Sequence, residues 1–424
     1  MAQRNLVGCG NWHFTLFERN GALSVNRRSL LQGLASIPMA LSADKFAYSQ
    51  ASLPKLKVDR LEVFRVKVNR RGNWTIVRLH TSCGLAGLGD TSQSGKDEGT
   101  LAYLKQFSEL LRGRSIFDIE WFRKATASVI LPGGASAAVA ASALEQALWD
   151  IQGKVFSVPA YELFGGRIQD RIRIYANINR STEDRTPDGF ARMAEKAINA
   201  SFDAVKLAPF DEMPRGLSDK AQIEHFTQFG IDCGKAVRQV IGSNRDLLID
   251  GHSHFTLEDS LELARRLEPL HLYWLEEVTP AIPIQNLATV TKAATMTTAG
   301  GESIHGVAGF YPYIKAEAVG VVMPDVKVCG GMLELKKIGA LAEGAGLIAS
   351  PHGPASPVGN VTAAHVIATI PNFNILEFSF GEVPWRAELI DPPEQVTDSA
   401  LVLSRRPGLG IELNEKTAAK HAVS

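Results

Sequence analysis

Residues 246–276 contain the pattern that decides the fold. They read DLLID (246–250), LEDSLELARRL (257–267) and LYWLE (272–276), with a polar turn after the first piece. The outer pieces are short apolar runs that each end in a carboxylate, and the middle piece has apolar residues at helical spacing. A strand, a helix and a second strand in this order are typical of parallel strands joined by a crossover helix.

The same alternation extends from Arg171 to about Phe378. Eight short apolar runs, separated by helical stretches of about 10–15 residues, predict an α/β fold of the TIM-like (β/α) barrel type. The alternative is an open, doubly wound sheet, although no Gly-x-Gly-x-x-Gly follows the first strand. The predicted strands are Ile172–Ile178, Ala204–Leu207, Asp246–Asp250, Leu272–Glu276, Thr297–Glu302, Val319–Asp325, Leu347–Ser350 and Asn374–Phe378.

The chain before the barrel is predicted to form a small α+β domain. Residues 58–68 and 74–80 alternate as strands do, and Gly84, Gly87 and Gly89 predict a tight, mobile loop after them. Helical periodicity then covers residues 99–111, 116–127 and 135–155.

Residues 1–53 are predicted to be a leader. Arg27-Arg28 precedes an apolar stretch, residues 34–41, that ends in small residues, and this order resembles a twin-arginine export signal. The alternative is a non-functional leader or a misplaced start codon, and the protein would then be cytoplasmic rather than periplasmic. The predicted division is a leader (1–53), an α+β domain (54–168), a barrel (169–383), and a segment (384–424) that returns to the α+β domain.

Composition excludes several classes of protein. The 424 residues include 45 Lys plus Arg and 45 Asp plus Glu, so no excess of basic residues supports binding to nucleic acid or to an acidic membrane surface. The four cysteines form no CxxC pair, which argues against a zinc finger, an iron–sulfur site or a disulfide scaffold. Outside the leader, no apolar run has the length expected of a membrane helix.

Ionisable residues recur at the ends of the later predicted strands, 26, 26, 23, 27 and 25 residues apart. One βα repeat has about this length, so these side chains should meet at the carboxyl end of the barrel, where such folds place their active sites. A single acidic residue after a strand is often the N-cap of the next helix, but six in register favour one pocket. They are Asp250, Glu276, Glu302, Asp325, His352 and Glu377.

Three of these residues predict a metal site. Asp250, Glu276 and Glu302 cannot all be ionised close together without a cation, and three oxygen ligands suit Mg²⁺, with Mn²⁺ as a substitute. Glu277 competes with Glu276, but the 26-residue register favours Glu276 and leaves Glu277 a supporting contact. His252 and His254 would also allow a Zn²⁺ site for hydrolysis, although three carboxylates favour Mg²⁺.

Other residues predict acid–base chemistry. Asp325 and His352 end neighbouring strands, and a carboxylate that orients an imidazole makes a general base; the alternative is a structural pair. His252 lies two residues after Asp250, on the same predicted strand face, and is a candidate ligand or general acid. Lys206 is predicted to bind a substrate carboxylate or act as a base, or else to be a surface lysine.

These residues resemble the enolase superfamily, mandelate racemase subgroup, over residues 55 to about 385. The resemblance implies a modified (β/α)₇β barrel with an N-terminal α+β capping domain, and a homo-oligomer. The motifs that carry it are ALEQALWDIQGK (143–154), WLEE (274–277), GES (301–303) and SPH (350–352).

The resemblance also implies roles for the candidate residues. Asp250, Glu276 and Glu302 would be Mg²⁺ ligands, Asp325–His352 the base, and Glu377 an acid that hydrogen-bonds the substrate carboxylate. The Asp250-x-His252 pair is most similar to galactonate dehydratase-type enzymes, in which His252 would help expel the β-hydroxyl group.

Two departures from the family pattern bear on the substrate. Ala208 stands in the Lys206-Leu207-Ala208 triplet where racemases have a second base and galactonate dehydratase-like sequences have Asn, so galactonate itself is in doubt. Asp90 replaces a more usual Glu and bears on how the cap, through residues 69–74 and 84–93, would close on the substrate.

The predicted function is therefore Mg²⁺-dependent dehydration of a small acid sugar, an aldonate or aldarate, to a 2-keto-3-deoxy acid. The alternatives are an isomerase that uses the same enediolate chemistry, by cycloisomerisation or epimerisation, and a non-catalytic sugar-acid binding protein.

Overall fold

The structure is a computed structural model that describes residues 15–18, 21–24, 56–70, 72–92, 97–353 and 355–423. The predicted leader lies outside these residues, apart from two short antiparallel strands, Thr15–Glu18 and Gly21–Ser24. Export of the protein therefore stays a prediction.

The N-terminal domain packs two helices on one face of a three-stranded antiparallel sheet. The strands are Val58–Asn69, Gly72–Thr81 and Ala86–Asp90, and the helices are Asp97–Leu111 and Ile119–Phe156. Apolar side chains of both layers are fully buried between them, among them Val77, Leu79, Leu144 and Leu148. This is the α+β domain that the sequence predicts, and we refer to it as the cap.

Of the predicted glycine loop, Gly84 does lie in a turn, with φ of +86°, but the prediction is wrong for Gly87 and Gly89. Gly87 and Gly89 lie inside the strand Ala86–Asp90, directly under the helix Ile119–Phe156. A Cβ atom at Gly87 would lie 2.1 Å from the carbonyl oxygen of Ala147, and one at Gly89 would lie 2.0 Å from that of Ala143. These glycines are therefore required by the close approach of two backbones, not by a turn.

The helix Ile119–Phe156 is the long core helix of the cap. It is broken at Gly134, where φ is +60°, so it corresponds to the two helices predicted for this stretch. Within the described residues it is long and apolar enough to span a membrane by length and composition alone. Its apolar residues between 137 and 151 are largely buried in the cap core, as expected for an internal helix.

The barrel consists of eight parallel strands, and the predicted fold is confirmed. Each strand pairs with the next from the first to the seventh, and the eighth pairs with the first. An isolated bridge between Ala349 and Phe373 joins the seventh strand to the chain before the eighth. The first to eighth barrel strands are Arg171–Asn177, Ala204–Leu207, Asp246–Asp250, Trp274–Glu276, Thr298–Gly300, Val321–Val322, Ile348–Ala349 and Leu376–Ser379.

Helices alternate with these strands, as the sequence pattern predicts. Those after the second, third and fourth barrel strands carry several charged or polar residues on their outer faces. The last helix, before the eighth strand, is buried along its whole length. The helices are Pro187–Asn199, Lys220–Ile241, Leu257–Leu267, Ile284–Ala293, Gly306–Lys315, Met332–Gly344 and Pro357–Ile367.

The interior of the barrel is filled by a compact group of side chains that includes Tyr175, Leu248, Trp274, Met323 and Ile375. Because side chains alternate along a strand, the residue two positions later points to the same interior. The residue two positions after each of these five side chains, and after Ala204 of the same group, is polar. These polar residues are Asn177, Lys206, Asp250, Glu276, Asp325 and Glu377.

The final segment contacts both domains. The strand Ala400–Val402 pairs antiparallel with the first barrel strand, while the helix Glu415–Lys420 leads back to the cap. There the backbone N–H of Lys67 donates to the carbonyl of His421 at 2.8 Å. The predicted return to the cap is thus seen for the last residues, whereas residues 400–402 lie beside the barrel.

Buried carboxylates join the cap to the barrel. Glu145, on the long cap helix, accepts hydrogen bonds from the backbone N–H groups of Met332 (2.7 Å) and Leu333 (3.0 Å) at the start of a barrel helix. Burial raises the pKa of Glu145 to about 7. Asp150, five residues further along the same helix, accepts from the N–H groups of Leu88 in the cap and Leu409 in the final segment.

A buried histidine should make stability depend on pH. His365 accepts from the N–H of Tyr161 and lies 3.1 Å from the carbonyl of Leu409, and burial lowers its pKa to about 4. The unfolded chain therefore binds a proton that the folded chain does not between pH 6.5 and 4, so stability falls as pH is lowered through this range. The loss is about 3 kcal/mol at full effect.

We expect urea denaturation at pH 7 and 4.5 to show a shallower pH dependence for His365→Gln than for the parent chain. Glutamine can also accept from Tyr161 and donate to Leu409, but it does not titrate. Equal pH dependence in the two proteins would contradict the assignment.

Candidate active site

Three carboxylates converge at the carboxyl end of the barrel. One oxygen or more from each of Asp250, Glu276 and Glu302 lie within 4.8 Å of one another. Asp250 and Glu276 end the third and fourth strands, and Glu302 lies two residues beyond the fifth. The predicted triad is thus brought together, because the strand ends meet and each side chain points inward.

The triad fits a divalent cation. All three groups offer hard oxygen ligands, and Glu302 Oε2 is buried but forms no hydrogen bond within the described residues. Burial and the neighbouring Asp250 raise the pKa of Glu276 well above its ordinary value, which shows how unfavourable three close negative charges are here. Mg²⁺ or Mn²⁺ would relieve this repulsion.

Lys206 lies beside the triad and is buried, so the alternative of a surface lysine is wrong. Its Nζ is 3.0 Å from Glu276 Oε1, 3.2 Å from Glu377 Oε1 and 3.8 Å from Asp250 Oδ2. Although burial acts against the charged form, Glu276 and Glu377 raise the pKa of Lys206 well above its ordinary value. In these contacts it is a cation rather than a base.

His352 and Asp325 form the predicted pair. His352 Nδ1 lies 2.8 Å from Asp325 Oδ2, and its Nε2 lies 3.2 Å from Glu302 Oε2, next to the triad. Although burial acts in the opposite direction, Glu302 and Glu377 raise the pKa of His352 to about 9. Asp325 therefore fixes Nδ1 as a donor, and Nε2 faces the site.

Sequence reasoning missed a third member of this group. Lys327 Nζ lies 2.7 Å from the same Asp325 Oδ2, and the Lys327 side chain is only 3% exposed. Although burial acts against it, Asp325 raises the pKa of Lys327, so its charge is retained. The sequence does contain a signal for this lysine: Lys327 lies two residues after Asp325, a spacing at which two side chains can lie on the same face of the chain.

Glu377 lies at the floor of the site and acts as an acceptor. Its Oε1 accepts from Asn177 Nδ2 and from Lys206, and its Oε2 accepts from the N–H of Gly353 at 3.0 Å. Although burial acts in the opposite direction, Lys206 and His352 hold the pKa of Glu377 well below its usual range. These contacts do not favour the predicted role of Glu377 as a hydrogen-bond donor to substrate.

His252 lies at the triad, but not for the reason predicted. The third strand ends at Asp250, and His252 follows in a turn with φ of +43°, so strand alternation does not place it. Its backbone N–H donates to Asp250 Oδ1 (2.8 Å), its Nε2 lies 3.1 Å from Asp250 Oδ2, and its Nδ1 pairs with Asp211. Although burial acts against it, Asp250 raises the pKa of His252 well above its ordinary value.

Glu277 and His254, the two alternative candidates for metal ligands, occupy supporting positions. The Glu277 carboxylate accepts from the N–H of Gly301 at 2.9 Å, and burial with the neighbouring Glu302 raises its pKa to about 7. His254 is half-buried, and burial lowers its pKa. Within the described residues, the group placed to hold a metal ion is Asp250, Glu276 and Glu302; it includes none of Glu277, His252 and His254, which does not favour a histidine zinc site.

A pocket of about 370 Å³ opens above the triad and is covered by the cap. The cap contributes Asn73, Trp74, Ser92 and Ala135 to its wall, so residues 69–74 reach the pocket as expected. Asp90 does not line the pocket: it is fully buried and accepts from the N–H and hydroxyl of Ser356. The barrel contributes Asn177, Asn179, Arg180, Lys206, Ala208, Asp250, His252, Glu302, Ser303, Asp325, Lys327, Val328 and His352.

Comparison with known families agrees with this arrangement. The profile described as "Enolase C-terminal domain-like" matches residues 189–417, and the profile "Mandelate racemase / muconate lactonizing enzyme, N-terminal domain" matches residues 63–165. The chain belongs to the enolase superfamily. Its cap and barrel are the two domains of the mandelate racemase/muconate lactonizing enzyme group, and the resemblance found in the sequence is confirmed.

Relatives within the superfamily share most of the chain. A D-xylonate dehydratase of Haloferax volcanii is 30% identical over 82% of this chain and 85% of its own length. A D-galactonate dehydratase family member of Streptomyces bingchenggensis is 30% identical over 87% and 95%. The structure of a mandelate racemase/muconate lactonizing enzyme-like protein of Rubrobacter xylanophilus superposes with a TM-score of 0.80, at 30% identity over 87% of this chain and 98% of that one.

Proposed function

We propose that this enolase superfamily member is a hydro-lyase that dehydrates a small acid sugar, an aldonate or aldarate, to a 2-keto-3-deoxy acid. The observation that carries the proposal is the placement of two imidazoles, His352 and His252, at one carboxylate triad in one pocket. Dehydratase names among the relatives support the reaction class.

Asp250, Glu276 and Glu302 would hold Mg²⁺, with Mn²⁺ as a substitute. When bound, the cation supplies positive charge beside the substrate carboxylate, and this charge stabilises the enediolate that forms when the α-proton leaves. Mg²⁺ keeps open coordination positions for water or substrate, which suits a site with three protein carboxylates.

His352 is the proposed base. Its Nε2 faces the triad while Asp325 holds Nδ1. A cation at the triad would offset the negative charge of Glu302, which raises the His352 pKa, so that Nε2 could take the α-proton of a substrate whose carboxylate lies there. Lys327 and Lys206 add positive charge on either side of the pocket. Lys206 would attract the substrate carboxylate, and Glu377 would hold Lys206 in position by their 3.2 Å contact.

His252 is the proposed acid. It protonates the departing 3-hydroxyl group, and the resulting enol gives the 2-keto-3-deoxy acid. No base is available from Ala208, which carries a methyl group into the pocket. This makes dehydration a better match than the two-base racemisation of the wider group.

The test is a substrate screen. The chain without residues 1–53, supplied with Mg²⁺, is offered a stereochemically complete set of aldonic and aldaric acids, and the products are weighed by mass spectrometry. We expect a 2-keto acid that is lighter than its substrate by one water. A product of unchanged mass would instead identify an isomerase, and tight binding without turnover would identify a binding protein.

The two histidines should separate the two half-reactions. We expect His252→Asn to lower dehydration by about 10²–10⁴-fold, the usual contribution of general acid–base catalysis, while exchange of the α-proton in D₂O continues. The reason is that proton abstraction by His352 does not require a leaving group.

His254→Asn is the matched control, because His254 lies in the same turn but outside the triad. It should dehydrate at the parent rate. Normal dehydration by His252→Asn would remove His252 from the mechanism.

A further inference from the structure

A second imidazole–carboxylate pair joins His252, which lines the pocket, to Asp211, which does not line it. His352 and Asp325 follow the seventh and sixth barrel strands, whereas His252 and Asp211 follow the third and second. In a closed barrel of eight strands these two regions lie opposite each other. The two imidazoles, His252 and His352, therefore face the pocket from opposite walls.

Asp211 is held rigidly by its surroundings. Asn179 Nδ2 donates to Asp211 Oδ2 at 3.0 Å, and Arg185 lies 3.3 Å from the same oxygen. Arg185 is itself anchored to the carbonyl of Ala208 at 2.6 Å and to that of Asn179 at 3.1 Å. Asn179, through a hydrogen bond, and Arg185, through an ion pair, thus engage Oδ2, while Oδ1 contacts His252 Nδ1.

Burial makes this arrangement specific. The side chains of Arg185 and Asp211 are only 6% and 10% exposed, so their ion pair is an internal one and not a solvated pair at the surface. An internal carboxylate whose second oxygen is held by two donors offers its first oxygen in a fixed direction. That direction leads to the imidazole of His252.

From this geometry we propose that Asp211 is a positioning residue that fixes the tautomer and orientation of His252 for proton delivery to the leaving hydroxyl group. The inference rests on the proposed function of His252 as the acid. Asp211 keeps a proton on Nδ1 both before and after the transfer, so that the proton that leaves comes from Nε2, the ring nitrogen next to Asp250.

The step balances as follows. The imidazolium gives its Nε2 proton to the 3-hydroxyl oxygen, the C3–O bond breaks with its electron pair going to oxygen, and water departs. The electron pair left by the α-proton forms the C2–C3 double bond of the enol. His252 ends as a neutral imidazole that donates Nδ1–H to Asp211.

Asp211→Asn should reverse this arrangement. Because Asn179 and Arg185 both donate toward the Oδ2 position, the amide oxygen will occupy that position and the NH₂ group will face His252 Nδ1. An N–H donor there opposes a proton on Nδ1, and so opposes the doubly protonated imidazole that can give a proton from Nε2.

We expect Asp211→Asn to lower the rate of dehydration at least about 100-fold while α-proton exchange in D₂O stays within about 3-fold of the parent chain. Glu212→Gln is the matched control: Glu212 is the next residue, is 54% exposed, and pairs with the same Arg185. It should leave both rates unchanged. A second readout needs no substrate: ¹⁵N shifts of His252, assigned with His252→Asn, should show the proton move away from Nδ1 in Asp211→Asn.

Two kinetic results would overturn the inference. One is dehydration by Asp211→Asn at the rate of Glu212→Gln, and the other is a parallel loss of exchange and dehydration, which a merely structural residue would produce. If Asp211→Asn does not fold, Asp211→Glu decides, and it should keep full exchange and at least a tenth of the parent dehydration rate. A parent chain that neither exchanges nor dehydrates any acid sugar would instead contradict the proposed function, and an unchanged ¹⁵N tautomer in Asp211→Asn would contradict the inference alone.

Discussion

His352→Asn should lower both α-proton exchange and dehydration by about 10³–10⁴-fold, the upper part of the range for a general base. Asparagine can still donate to Asp325 Oδ2, where His352 Nδ1 now lies at 2.8 Å. It cannot accept a proton at the position of Nε2. The loss should therefore come from the chemistry rather than from the fold, and both half-reactions stop because both follow proton abstraction.

The measurement combines ¹H NMR in D₂O with detection of the 2-keto acid, and His254→Asn serves again as the control. His352→Asn and His252→Asn are compared directly, because only His252→Asn should retain exchange of the α-proton. If His352→Asn exchanges normally and fails only in dehydration, the roles of base and acid are the reverse of those proposed.

Glu302→Gln should abolish the stabilisation of the protein by Mg²⁺ and its activity. Mg²⁺ at 100 times its Kd would stabilise the folded protein by about 2.7 kcal/mol, a rise in Tm of a few degrees. Loss of a charged ligand should weaken binding by about 100-fold or more, since loss of a residue that only supports a ligand already weakens it 10–100-fold.

Glu302 is a sharper choice than Glu276 for this test. Glu302 Oε2 makes no hydrogen bond within the described residues, so an amide there removes a charge at the cost of the 3.2 Å ion pair with His352 Nε2 but leaves no hydrogen-bond donor unpaired. Glu276, in contrast, contacts Lys206 and accepts from the indole N–H of Trp274 at 3.1 Å, so its replacement would also disturb the barrel interior.

Glu277→Gln is the control, because its amide oxygen can still accept from the N–H of Gly301. Thermal unfolding with Mg²⁺ and with EDTA should show a metal-dependent shift for the parent chain and for Glu277→Gln. A full shift in Glu302→Gln would show that the metal is bound elsewhere.

Much of the site could be predicted from the sequence because barrel strands recur at a regular interval and their side chains alternate between two faces. The 25-residue repeat and the two-residue alternation place Asp250, Glu276 and Glu377 without knowledge of the loops. Glu302, Asp325 and His352 lie two or three residues beyond short strands, yet the repeat still located them.

The same reasoning did not predict the residues that reach the site from loops. Asp211 reaches His252 from the connection after the second strand, and Asn73 and Trp74 reach the pocket from the cap. Their positions depend on backbone turns such as that at His252, and no periodic pattern encodes them. The prediction of a loop at Gly87 and Gly89 was wrong for a related reason: a glycine required by close packing cannot be distinguished in sequence from one required by a turn.

The bonds that Glu145 makes to Met332 and Leu333 limit how substrate can enter. With Asp150 accepting from Leu409, they connect the long cap helix both to the barrel and to the final segment. A hinge rotation of the whole cap would have to break these buried bonds together. We therefore expect substrate and product to exchange without rotation of the whole cap, and specificity can change at Asn73, Trp74 and Ser92, which line the pocket, while the rest of the cap stays fixed.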